Sequence, residues 1–91
     1  MAAVADQIRN KLTTAFAPIQ LDVVDDSARH AGHAGARLGG ESHFNVMIVS
    51  AAFEGAGRVQ RQRMVYAALS KELAGPVHAL SLKALAPGEP A

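Results

Sequence analysis

The sequence predicts an α+β domain in which a three-stranded mixed sheet carries its helices on one face. Three observations lead there. Residues 4–16 have a helical apolar period, the segments 19–24 and 43–50 alternate, and a helical stripe over 58–73 precedes a third apolar run over 77–85. The order is α-β-β-α(α)-β. At 91 residues, the expectation is one domain, 1–91, with a core of about 4–85 and a short frayed tail over 86–91.

In the first helix Val4, Ile8, Leu12, Ala15 and Phe16 recur at steps of three and four, with Asp6, Gln7, Arg9 and Lys11 elsewhere on the turn; Pro18 stops it. The first strand sets Ile19, Leu21 and Val23 against Gln20 and Asp22. Residues 25–42 hold four of the eight glycines and no apolar period, and read as a long loop. The second strand places Phe44, Val46 and Ile48 on one face and His43, Asn45, Met47 and Val49 on the other. The helical region carries Val59, Tyr66, Leu69 and Leu73 as a stripe widened by Val65 and Ala68. A break near 61–64 would divide it in two, and Gly75-Pro76 ends it. Phe16, Phe44, Phe53 and Tyr66 are the only aromatic residues, so a core must be built from small aliphatics around them.

Strands 1 and 2, joined by a loop, are expected to be antiparallel neighbours. Strands 2 and 3, joined through helix, are expected to form a right-handed parallel crossover. That topology brings the end of strand 1 and the starts of strands 2 and 3 to one edge. His30 and His33 follow strand 1, His43 opens strand 2, and His78 opens strand 3, so all four histidines gather there. Imidazole is a common ligand for zinc, copper, iron and nickel. On spacing alone H-x-x-H is a weak pattern, and the plainer account is the better one: His30 and His33 as solvated loop residues, His43 and His78 in structural hydrogen bonds.

Cysteine is absent, which excludes disulfides, thiolate catalysis and any metal site built on this chain's own sulfur. Nine basic and eight acidic residues leave a net charge of +1, with no global field to attract nucleic acid. No apolar run approaches the roughly 18 residues of a membrane span. With Asp6, Arg9 and Lys11 near the start there is no signal-peptide core, so a cytoplasmic protein without a membrane partner is expected. Arg58, Arg61 and Arg63, with Lys71 one to two turns on, can neutralise phosphates, and residues 53–73 could pass for helix-turn-helix. A solvated helix face is the plainer account. Asp25, Asp26, Ser27 and His30 superficially offer a nucleophile and base, yet all lie in one loop with no oxyanion device. The reading is therefore not an enzyme.

The segments VVDDSARHAGH, ESHFNVMIVSAAFEG, RVQRQRMVYAALSKEL and VHALSL, in this order, closely resemble the BolA family over about Ile8 to Leu85. The resemblance implies an αββααβ fold similar to class II KH domains. It implies a heterodimer with a monothiol glutaredoxin, carrying a [2Fe–2S] cluster whose sulfur ligands come from the partner's cysteine and glutathione. This chain would add His78 and, from the loop, His30, with His33 a competitor; His43 would be structural. No cofactor is expected for the isolated chain, which would be a monomer or weak homodimer. The family is also described as DNA-binding and transcriptional, with a signature near F-V-x-R-H-R. Here Arg58 replaces the aromatic and Gln62 the histidine, while Arg61 and Arg63 survive.

Overall fold

The first helix forms where its apolar spacing says it should. In a computed structural model that describes residues 3–25, 43–75, 77 and 79–90, α1 spans Ala3–Phe16. It buries Ala5, Ile8 and Leu12, with Val4 and Phe16 at the margin. On its outer face Arg9 and Asp6 pair at 3.0 Å, one turn apart and exposed, an arrangement worth only a few tenths of a kcal/mol. Arg9 also donates to the Val23 carbonyl at 3.2 Å, tying the helix to the next strand.

α1 ends at Ala17, which sits at φ 44 while its N–H still reaches the Thr13 carbonyl at 3.0 Å. This left-handed position suits glycine, because a Cβ crowds the following carbonyl there. Ala17→Gly is expected to raise stability by about 0.5–1 kcal/mol, seen as a higher urea midpoint at unchanged slope. A lower midpoint would show that Ala17 is not strained.

The strands are β1 (Gln20–Asp25), β2 (His43–Val49) and β3 (Ala79–Leu85), in the order β1-β2-β3. β1 pairs antiparallel to β2 from Gln20↔Val49 to Asp25↔Phe44, and β3 pairs parallel to β2 from His43↔Ala79 to Val49↔Leu85. Alternation then fixes the faces. Leu21, Val23, Phe44, Val46, Ile48, Leu80, Leu82 and Ala84 meet the helices in one core. Asp22, Val24, Asn45, Met47, Ser81 and Lys83 line the opposite face. Ile19 departs from expectation. It lies ahead of β1, beyond the part of the sheet covered by α1, and is 72% exposed.

Ser50 joins the sheet to the helices. Buried, it donates its hydroxyl to the Phe16 carbonyl at 2.6 Å and accepts the Ala52 N–H at 3.1 Å, capping a 3-10 turn over Ala51–Phe53. Phe53 enters the core with its ring centroid 5.1 Å from that of Phe16. Gly55, at φ 78, then turns the chain into α2 (Arg58–Ala68). The expected break near 61–64 falls instead at Leu69, between α2 and α3 (Ser70–Ala74). Val65 and Leu69, one turn apart, are fully buried, with Met64, Ala68 and Leu73 packed at the margin, whereas Val59 is 58% exposed on the first turn. The shift at Leu69 turns Glu72 inward, where it is 4% exposed and receives Lys11 Nζ from α1 at 2.8 Å and 2.9 Å on its two oxygens.

β3 begins two residues later than the expected Val77, and Val77 is itself buried. Residues 86–89, expected to fray, form a closed turn. Pro87 precedes Gly88 at φ 87, and the Glu89 N–H donates to the Ala86 carbonyl at 3.1 Å. Pro followed by a positive-φ glycine matches a type II turn.

Candidate functional site

One candidate place is the sheet edge where β1 ends and β2 and β3 begin. Asp25 is in register with Phe44, and His43 with Ala79, so these three strand ends meet. His43 is half-buried and takes part in the fold's own interactions. His30, His33 and His78 lie outside the described residues. In the sequence, His78 directly precedes Ala79, and His30 and His33 fall between Asp25 and His43. Among the described residues no group of three His, Cys, Asp or Glu side chains could hold a metal ion.

The other place is the basic face of α2 and α3. Arg58, Arg63 and Lys71 are exposed there. Arg61 differs, with its side chain 13% exposed and four of its five guanidinium N–H groups engaged. Nε donates to the Ala56 carbonyl at 2.9 Å, and Nη1 donates to the Ala84 carbonyl at 3.1 Å. Nη1 and Nη2 also meet the two Glu89 oxygens at 2.6 Å and 2.9 Å. Arg61 thus clasps the turn before α2, the edge of β3 and the turn after it. Arg58, Arg63 and Lys71 remain as the cations of this group presented to solvent.

The clasp is electrostatically tight. The Arg61 guanidinium, assisted by the Ala86 N–H, holds the Glu89 carboxyl down at about 2, and its bonds to Glu89 raise Arg61 in turn. A carboxylate whose folded-state pKa is depressed contributes stability above the ordinary glutamate range and loses it as pH falls through about 2. At neutral pH the clasp is closed. Its sequence signal was the A-P-G-E turn, which returns an acid toward the sheet.

Between α2 and β3 lies a groove of about 610 Å³, lined by residues that include Arg58, Arg61, Gln62, Tyr66, Leu82 and Lys83. Gln62 donates to Tyr66 Oη at 3.2 Å, and Tyr66 Oη donates to the Leu80 carbonyl at 3.5 Å. Gln62 therefore serves the contact between α2 and β3. A turn does precede a helix here, as the helix-turn-helix reading expects, but its leading segment is a single 3-10 turn of three residues.

A family model for the BolA-like protein matches residues 12–89. BolA-like protein 1 of Bos taurus is 48% identical over 90% of this chain, which spans 58% of that protein. The DNA-binding transcriptional regulator BolA of Escherichia coli (strain K12) is 46% identical over 87% of this chain and 71% of its own length. Among solved structures, the BolA domain of SufE1 from Arabidopsis thaliana superposes with a TM-score of 0.87 at 42% identity, covering 99% of both chains. The chain spans only 24% of SufE-like protein 1, chloroplastic/mitochondrial, from the same plant, over 91% of its own length. Fold and sequence together define a small α+β domain with a central β2 and helices over one sheet face. The chain belongs to the BolA-like family, which is not a known enzyme family. Relatives named as chloroplastic or chloroplastic/mitochondrial are among those matched, so the expected cytoplasmic setting does not follow from family membership. Among the described residues no helix is long and apolar enough to cross a membrane.

Proposed function

We propose that this BolA-like chain is a non-catalytic accessory protein that pairs with a monothiol glutaredoxin and shares a [2Fe–2S] cluster with it, acting in cluster handling or iron regulation. The observation that supports the reading is the meeting of Asp25, His43 and Ala79 at one sheet edge, because His78 adjoins Ala79 in sequence and His30 and His33 follow Asp25. The donor set is chemically consistent. This chain offers imidazole and no thiolate, so the sulfur must come from the partner's cysteine and glutathione. Mixed nitrogen and sulfur ligation raises a cluster's potential, as in Rieske centres. Imidazoles bind only when neutral, so ligation weakens as pH falls through the histidine range. Alone, the chain is a monomer or weak homodimer without cofactor.

The test mixes the chain anaerobically with cluster-loaded monothiol glutaredoxin and glutathione and follows visible circular dichroism. Wild type should give a new cluster spectrum that His78→Ala abolishes. His30→Ala and His33→Ala then decide the second ligand. Absence of both a spectral change and a complex with wild type sinks the proposal.

A second reading, a DNA-binding regulator, is favoured by one observation: Arg58, Arg63 and Lys71 all face solvent along one helical region. The Escherichia coli relative's name carries that function for its own protein. On this reading Arg63→Ala weakens DNA binding and flattens its salt dependence, and His78→Ala changes neither.

A further inference from the structure

Among the described residues, the helices cover one face of the sheet and leave the other open. Alternation and register set out the open face as a grid. Asp22 of β1 is in register with Met47 of β2, and Met47 with Lys83 of β3; the neighbouring row is Val24, Asn45 and Ser81. These residues surround a depression of about 380 Å³. Among the described residues, Asp22 and Lys83 are the only Asp, Glu, Lys or Arg that the three strands place on this face, and both are exposed. Neither is in an ion pair among the described residues. The face therefore carries an acid on one outer strand, a base on the other, and half-buried Asn45 and Met47 between them. Val24, 53% exposed, adds apolar area beside the acid.

Such a face is complementary to itself. Two sheets packed face to face lie about 10 Å apart with their strands nearly aligned, a gap that an aspartate and a lysine side chain together span. A two-fold axis between the sheets and parallel to β2 sets β1 of each copy over β3 of the other. Asp22 of each copy then meets Lys83 of the other, and Met47 meets Met47. An axis running across the strands instead sets Asp22 over Asp22 and Lys83 over Lys83, which repels. The charge pattern thus selects both the occupant and its orientation. We propose that the open face of the sheet is a self-association surface, on which a second copy of this chain packs its own open face about a two-fold axis parallel to β2. Three strands of six or seven residues present roughly 300–400 Å² per copy, well under the ~800 Å² per partner of a standard interface, so the dimer is weak and forms in the high micromolar to millimolar range. Because corresponding strands of the two copies run in the same direction, the edges at Asp25, His43 and Ala79 lie at one end of the dimer. The inference needs neither the cluster reading nor the DNA reading.

The test follows the chain alone by sedimentation equilibrium and by NMR over a dilution series reaching millimolar concentration. It compares wild type, Asp22→Lys, Lys83→Asp and an equimolar mixture of the two variants. Wild type should show a monomer–dimer equilibrium that salt weakens, with dilution shifts centred on Asp22, Met47 and Lys83. Each variant alone opposes like charges at both contacts, so its association should fall about tenfold or more. The mixture restores opposite charges at both contacts and should associate at least as tightly as wild type. The wild-type dilution shifts need no variant, so they decide the face even if a charge reversal disturbs folding. A wild type that stays monomeric at millimolar concentration overturns the proposal, as does a dimer that both variants leave intact or whose shifts fall on the helices. Shifts on this face that arise only on adding a monothiol glutaredoxin assign it to that partner, which overturns the proposal and leaves the cluster reading in place.

Discussion

Phe53→Ala is expected to destabilise the domain by about 3–5 kcal/mol, the range for removing a buried aromatic from a core that cannot collapse around the gap. Phe53 is fully buried, and its ring stands 5.1 Å from that of Phe16. Its neighbours resist relaxation because they are fixed from several directions. Phe16 offers its carbonyl to Ser50, Ser50 binds the Leu85 carbonyl through its N–H, and the Phe53 carbonyl accepts from Ala56 in the turn that launches α2. The substitution therefore opens a cavity beneath the junction of α1, β2 and α2, and it loosens the start of α2. Phe53→Leu, which keeps most of the volume, should cost less than half as much. Urea unfolding of the three proteins measures both values. A loss under about 1 kcal/mol for the alanine variant would mean that the 3-10 turn is not anchored through this ring.

The same region shows what local sequence pattern can and cannot convey. Strand alternation in HFNVMIV placed Phe44, Val46 and Ile48 in the core, and the connection lengths implied the antiparallel and parallel pairings that the register displays. Pattern also grouped Ile19 with Leu21 and Val23, but periodicity carries no information about where a covering helix stops. Val59 was misplaced for a related reason. The stripe of 59, 66, 69 and 73, widened by 65 and 68, does contain the two fully buried residues, Val65 and Leu69, but its spacing carries no sign that the first turn of α2 stays exposed at Val59. The break at Leu69 follows from tertiary packing, because Glu72 turns toward a lysine 61 positions away.

Site legibility divides along the same line. The edge shared by Asp25, His43 and Ala79 could be read from topology, since it depends on strand order and direction alone. The arginines could not be told apart by spacing. Arg58, Arg61 and Arg63 look equivalent in a run of six residues, and only the return of the chain 28 positions later gives Arg61 a carboxylate partner. The turn that effects this return was visible as Pro-Gly, but its target was not.

Lys11→Met is the second change with a large expected effect, about 2 kcal/mol of lost stability. It strips the cation from Glu72, a side chain only 4% exposed whose two oxygens lie 2.9 Å and 2.8 Å from Lys11 Nζ. The cost falls below the ~3–5 kcal/mol typical of wholly enclosed pairs, because the lysine side chain is itself 37% exposed and the pair is partly screened. The asymmetry of that exposure makes a sharper prediction. Glu72→Leu leaves Lys11 free to turn into water, so it should cost much less than Lys11→Met. Adding Glu72→Leu to Lys11→Met should then restore stability, since an apolar pair between α1 and α3 needs no counter-charge. A double-mutant cycle in urea should give a coupling of about 1–2 kcal/mol, with Lys11→Met the least stable of the four proteins. Equal stability of Lys11→Met and the double variant would show that Glu72 finds water or another partner without Lys11, and that α3 is held against α1 by its apolar contacts alone.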